Sequence, residues 1–154
     1  MAKRILVPLD GSAAAESAIP LIADLARAGG AVVRLVHVAK MPDNRYGADG
    51  RLVAYADQEI TSVEADRCDY LRSVEVGLAE TPVEVAVRFG EPVREILAEG
   101  EEWGADLIAV TTAGRSGLGR MVLGSVAEEV FRKAHLPVIL YQPRRRHVVI
   151  RPGW

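Results

Sequence analysis

The chain is poor in the residues that bind small proteins together covalently or through metals. Of its 154 residues one is cysteine, Cys68, and three are histidine. A single cysteine closes no internal disulfide, and no cluster of cysteine and histidine offers a zinc site, which excludes a secreted disulfide scaffold and suits a reducing, cytoplasmic compartment. Neither device is needed, since a chain of this length buries roughly two-thirds of the surface it exposes when unfolded. Long apolar runs are missing as well. The longest, such as Ala105 to Val110 with Asp106 inside it, fall far short of the roughly 20 residues of a membrane-spanning helix, so no membrane partner is expected. Lys3 and Arg4 precede an apolar stretch, but Pro8, Asp10 and Gly11 end it too soon for a signal peptide.

An excess of either charge is also lacking, although the balance is a cancellation. The 19 Lys and Arg oppose 21 Asp and Glu, for a net charge of −2. Arg144, Arg145, Arg146 and Arg151 all fall in the last thirteen residues, which hold no acid, so residues 1–141 carry −6. An acidic body argues against a general nucleic-acid partner, which calls for a basic face. The division predicts one domain over residues 1–141 and a basic C-terminal tail over 142–154. The tail reads as a solvated terminus, although the apolar run His147-Val148-Val149-Ile150 fits pairing with a sheet edge or a partner.

What is present is a regular alternation. Ile5-Leu6-Val7 reads as a buried strand closed by the turn Pro8-Leu9-Asp10-Gly11-Ser12. Ser12 can cap a helix in which Ala15, Ala18, Ile19, Ile22, Leu25 and Ala26 recur at helical spacing until Gly29-Gly30, with Pro20 kinking it near the middle. A second strand spans Ala31 to Ala39, interrupted by Arg34 and His37. Residues 40–51, with their Pro, Asp, Asn and Gly, read as a mobile loop. Ile60, Val63, Leu71, Val74 and Leu78 predict a long helix from about Tyr55 to Leu78, followed by a third strand at Val83, Val85 and Val87. Gly90-Glu91-Pro92 opens a helix whose buried face is Val93, Ile96, Leu97 and Trp103, weakened by Gly100 and ended by Gly104. Asp106 to Thr112 makes a fourth strand, Val126, Ala127, Val130, Phe131 and Ala134 stripe a last helix, and Leu136 to Tyr141 makes a fifth strand. Alternating helices and uninterrupted apolar strands predict an α/β fold, a Rossmann-like doubly wound sheet of about five mainly parallel strands with flanking helices.

The richest chemical signal lies between the fourth strand and the last helix, from Thr111 to Ser125, where Gly114, Gly117, Gly119 and Gly124 gather. Glycines there let backbone amides surround phosphate oxygens, the helix N-terminus favours negative charge, and Ser125 adds a hydroxyl. A charge-assisted hydrogen bond contributes about 1.5–3 kcal/mol, so three or four hold a nucleotide. Neither G-x-x-x-x-G-K-[ST] nor a G-x-G-x-x-G after the first strand occurs, so a P-loop NTPase and a dinucleotide-binding protein are unsupported.

The segment resembles the universal stress protein family, whose ATP-binding members carry G-x2-G-x9-G-[ST] here; Gly114-x9-Gly124-Ser125 matches all but the first glycine, which aligns with Thr111. Ile5-Leu6-Val7-Pro8-Leu9-Asp10-Gly11-Ser12, Leu35-Val36-His37-Val38, Gly90-x-Pro92, and Ser125 to Val130 followed by Pro137-Val138 are similar to the family's other conserved stretches, so the resemblance spans almost the whole chain. It implies that Pro8, Leu9 and Asp10 line the adenosine side of an ATP site, with Asp10 near the ribose or a phosphate-bound Mg2+. It further implies that Val38 meets adenine and that Gly114, Arg115, Gly124, Ser125 and Val126 hold phosphate, while Thr111, extended, offers its hydroxyl. Ligands in open α/β sheets sit beyond the carboxyl ends of strands where strand order reverses, and strands one and four are the candidates.

By the same resemblance the chain is a stress-response protein that acts through nucleotide-dependent protein interactions, a homodimer through the edge of the fifth strand. A slow ATP hydrolase or adenylyl- or phosphoryl-transferring enzyme, and an interaction module that binds no nucleotide, are the alternatives; no nucleophile is paired with a base, so no catalytic residue is assigned. Outside the motif, Gly117 and Gly119 read as loop flexibility, His37 as a satisfied strand histidine, Cys68 as a bystander thiol, and Trp103 and Phe131 as core or interface packing.

Overall fold

The computed structural model describes residues 3–54, 56–112 and 124–143. Five strands form one parallel sheet: β1 (Arg4–Pro8), β2 (Val32–Ala39), β5 (Val83–Phe89), β6 (Leu107–Thr111) and β7 (Val138–Tyr141), in the spatial order β5-β2-β1-β6-β7. From β1 the chain builds outward through β2 to β5, then crosses to the other side of β1 for β6 and β7. Strand order therefore reverses between β1 and β6, the first and fourth strands expected from the sequence.

Period-two alternation along these strands supplies two cores. Ile5, Val7, Val33 and Leu35 pack on one face against α2 (Ile19–Gly29) and α3 (Ala56–Glu75) through Ile22, Ala26 and Leu71. Leu6, Val36, Ile108 and Val110 pack on the other against α4 (Pro92–Trp103) and α5 (Ser125–Lys133) through Ile96, Trp103 and Val130. Burial on both faces is why these strands read as continuous apolar runs rather than alternating ones.

The second face is not wholly apolar. Arg34, on β2, pairs with Glu84 and with Glu99 (2.6 Å), and Arg88, on β5, reaches Glu95, Glu99 and Glu102, each at 2.8 Å. Glu99, on α4, is only 6% exposed and is compensated by both guanidiniums. The Arg34 guanidinium also lies over the Trp103 ring, 4.6 Å from its centroid. The sequence reading took Arg34 only as an interruption of a strand.

Several expectations are corrected. The helix foreseen from Ser12 to Gly29 with a kink at Pro20 is two helices, α1 (Ala13–Glu16) and α2. The Ser17 amide reaches back to Ala13 and Ala14 and the Ala18 amide to Ala15, so the chain tightens to three-residue closures, and Pro20, lacking an amide, falls in the first turn of the new helix. Residues 40–51 are not all loop, because β3 (Arg45–Tyr46) pairs antiparallel with β4 (Leu52–Ala54). The long helix ends at Glu75 and runs on as a 3-10 turn over Val76–Leu78. Leu25, placed on the buried stripe, is 38% exposed, and Phe131 is 55% exposed and so no part of the core. Gly100 is buried within α4, and a Cβ there would make only ordinary van der Waals contact with Leu136 Cδ1 at 3.4 Å. Among the described residues no helix is long and apolar enough to cross a membrane.

Candidate functional site

Helices α1, α4 and α5 all begin at the carboxyl end of the sheet, and their first turns are treated differently. The unpaired amides of α1 meet the Ser12 hydroxyl, which accepts from the Ala15 amide at 3.1 Å. Those of α4 meet the Glu91 carboxylate, which accepts from Val93 at 3.2 Å and Arg94 at 2.8 Å. At α5 the capping position is Gly124, which has no side chain to offer. The amides of Ser125, Val126 and Ala127 have no acceptor within their own helix, and all three residues line a cavity.

That cavity has a volume of about 330 Å³ and opens beyond the ends of β1 and β6, within the range of small-molecule sites. Pro8, Leu9 and Asp10 form its β1 side, Val38 comes from β2, Thr111 from β6, and Gly124, Ser125 and Val126 from the start of α5. Eight of the ten residues singled out from the sequence thus line one cavity. The other two, Gly114 and Arg115, lie outside the described residues, as do Gly117, Gly119, the arginines of the tail and residues 147–150.

The sequence reading missed the rest of the wall. Val36 and Val110 lie one strand period or one residue from positions that were named, and Ala15, Pro92, Ile96 and Ala127 come from three helices. Pro92 was legible only as a helix opener, although an element that begins at the carboxyl end of a strand delivers its first turn to that end of the sheet. These residues make the described part of the wall mainly apolar, with Asp10, Thr111, Ser125 and the α5 amides as its polar groups among the described residues.

Each polar residue has a definite setting. Asp10 Oδ1 accepts from the Ser12 amide at 2.9 Å, closing an Asx turn that sets the direction of α1; among the described residues it is the only carboxylate on the cavity wall. Gly11 follows with φ +82°, a value glycine adopts without strain. Thr111 ends β6 in extended backbone and its hydroxyl reaches the Ala15 carbonyl at 3.5 Å, facing α1. The Gly124 amide donates to the Thr112 carbonyl at 2.7 Å, which pins together the two ends of the segment 113–123.

Behind the turn, on the α3 side, is a second set of polar contacts. His37 is buried and its Nδ1 lies 2.8 Å from the Leu9 carbonyl; since a carbonyl only accepts, Nδ1 carries the proton. This is the satisfied strand histidine expected. Tyr70 stands edge-on to the His37 ring and donates to Glu16 Oε1 at 2.9 Å. Burial, then the hydrogen bond and charge of Glu16, then the charge of Asp10, push the Tyr70 hydroxyl well above its ordinary 10, so it keeps its proton throughout the neutral range. Among the described residues no group of three or more His, Cys, Asp or Glu is arranged to hold a metal ion.

Comparison with known proteins agrees with this architecture. The model of the universal stress protein family matches residues 1–142. A universal stress protein of Methanocaldococcus jannaschii is 31% identical over 147 residues, covering 94% of this chain and 84% of that one. A universal stress protein solved in complex with cAMP has the same fold, with a TM-score of 0.61 at 20% identity over 92% of this chain and 97% of its own. One from Archaeoglobus fulgidus in complex with dAMP gives a TM-score of 0.56 at 23% identity over 90% of this chain and 96% of its own. With strand order, doubly covered sheet and sequence match in agreement, the chain belongs to the universal stress protein family.

Proposed function

We propose that this protein binds an adenine nucleotide, ATP foremost, in the cavity at the carboxyl ends of β1 and β6, and that it acts in the stress response through nucleotide-dependent interactions with other proteins. One observation carries the reading: α5, whose capping residue Gly124 has no side chain to offer its first-turn amides, opens onto an apolar cavity of nucleotide-binding size. Solved members of the family in complex with cAMP and dAMP support the same ligand class.

The residues fit the ligand. Val36, Val38 and Val110 offer apolar surface suited to a purine. Asp10 is suited to a ribose hydroxyl, or to a Mg2+ brought by the phosphates, as no metal cluster exists among the described residues without them. The Ser125 hydroxyl and the α5 amides suit phosphate, with Gly114 and Arg115 completing that end. Thr111, in the place of the family's first motif glycine, keeps its hydroxyl within the wall. Among the described wall residues no lysine, histidine or cysteine joins Asp10, which favours binding over turnover.

We further infer a cytoplasmic homodimer joined through the outer edge of β7, with residues 1–141 as the domain and 142–154 as a basic tail. Titration of the purified protein with ATP, AMP and cAMP tests the central reading. Saturable binding of ATP at micromolar to millimolar concentration supports it, and the absence of binding by all three at millimolar concentration overturns it.

A further inference from the structure

The last strand ends beside the candidate site. β7 runs parallel to β6, and its final residue, Tyr141, stands opposite Thr111 of the cavity wall. Thr112 ties this strand end to the start of α5, because its amide donates to the Tyr141 carbonyl at 2.9 Å and its carbonyl accepts from the Gly124 amide at 2.7 Å. The end of β7 and the helix that opens onto the cavity therefore meet on one residue. Gln142 precedes Pro143, a position that disfavours helical backbone and favours continuing past the sheet in the direction of the strand. Arg144 follows at once, and covalent geometry alone keeps its Cα within about 11 Å of that of Tyr141, three peptide units away.

The charges on the two sides are complementary. Among the described wall residues there is no lysine, arginine or histidine, and Asp10 adds a negative charge. The tail supplies what the wall lacks: four arginines and no acid, three of them consecutive at 144–146. A guanidinium presents paired donors that match the oxygens of a phosphate. We propose that Arg144, Arg145 and Arg146 are specificity-determining residues of the nucleotide site, which contact the outer phosphates of ATP and so make the site prefer a triphosphate to a monophosphate. The proposal rests on the nucleotide reading and adds to it the feature that selects the length of the phosphate chain.

The experiment compares ATP with AMP in the full-length protein, using the parent chain and a variant that combines Arg144→Gln, Arg145→Gln and Arg146→Gln. By calorimetry, the ATP affinity of the variant is expected to fall about tenfold, the equivalent of one charge-assisted hydrogen bond. Its AMP affinity stays within about twofold of the parent, the scale of a solvent-screened charge contact. The three corresponding substitutions to lysine, which keep the charge, lose less than those to glutamine. At a salt concentration of about 1 M, where exposed charges are screened beyond about 3 Å, parent and glutamine variant converge in ATP affinity. In the parent, tryptic cleavage at residues 144–146 is expected to slow with ATP and not with AMP.

An unchanged ratio of ATP to AMP affinity in the glutamine variant overturns the proposal, and is the result expected of arginines that pair only with the acidic body. Equal losses for ATP and AMP overturn it as well, as does tryptic cleavage that ATP leaves unaltered. The two readings fail separately: a parent protein that binds neither nucleotide removes the nucleotide reading and the tail's part with it, whereas parental ATP binding in the glutamine variant removes the tail's part alone.

Discussion

The two ends of the sheet are built on opposite terms. At the amino end, helices finish and their carbonyls are satisfied by the chain itself. Gly30 and Gly104, both left-handed at φ 62° and 71°, close α2 and α4, and the amides of Ala31 and Ala105 return to Ala26 and Gly100. Asp106 then accepts from the Lys3 and Arg4 amides, both at 3.0 Å, and the Arg4 guanidinium donates to the Trp103 carbonyl at 2.6 Å. At the carboxyl end helices begin, and at α5 the capping residue is a glycine with no side chain to meet the first-turn amides. On the proposed function the closed end serves stability and the open end recognition, so mutations at the two ends should sort into different measurements.

The largest effect is expected at the closed end. Trp103→Ala removes a buried ring that two arginines face, and should destabilise the protein by about 3–5 kcal/mol in denaturant unfolding while leaving the nucleotide affinity of the folded protein unchanged. A shift in affinity of the same size would erase the distinction between the ends. At the open end, Gly124→Val should show the reverse. Gly124 has φ −56° and ψ 143°, a conformation any residue adopts, so folding tolerates the change, but the branched side chain intrudes where the α5 amides meet the cavity. Loss of tenfold or more in ATP affinity with little change in unfolding midpoint is expected, since amide–phosphate hydrogen bonds contribute about 1.5–3 kcal/mol each.

Smaller effects sharpen the comparison. Asp106→Ala should cost about 1–2 kcal/mol of stability, because the two amides it releases are reached by water, again without change in affinity. The smallest is a pH effect on the arginine cluster beside α4. Arg88 holds the Glu102 carboxyl below its ordinary 4.5, so the pair stabilises the folded state above that value, and the stabilisation is lost as pH falls through the lower folded value. Glu102→Gln should therefore flatten the acid limb of the melting temperature below about pH 4.5, and an unaltered acid limb would show that the exposed pair contributes nothing.

Much of this is legible in the sequence, for identifiable reasons. The five strands and the switch between the first and fourth follow from apolar runs spaced by helical patterns, both local signals. The eight described cavity residues are those that the resemblance to the family implies, and they sit at strand ends or a helix start, where matched motifs mark position. The missed wall residues carry no such mark: Val36, Val110 and Ile96 look like any other core position. Arg34 and Glu99 lie 65 residues apart, so their pairing depends on a register between β2 and α4 that local sequence does not encode. Pro20 located the disturbance in the first helix to within a few residues, but whether a missing amide bends a helix or ends it depends on the Ser17 and Ala18 closures next to it. The β3–β4 pairing was hidden by a Gly- and Pro-rich composition, yet Asn44 beside it accepts from the Ala56 amide at 2.9 Å and so prepares the start of α3.

The interruption at Ser17–Ala18 also divides labour along the chain. A continuous helix from 13 to 29 would be a rigid rod, and any displacement of its first turn would tilt Ile22 and Ala26 within the core. With the rod cut, the direction of α1 is set by the turn it follows and that of α2 by its packing on the sheet. Substitutions that reshape the recognition end are thereby insulated from the packing that keeps the molecule folded, which leaves this end of the protein free to diverge in what it recognises without a matching change in the interior.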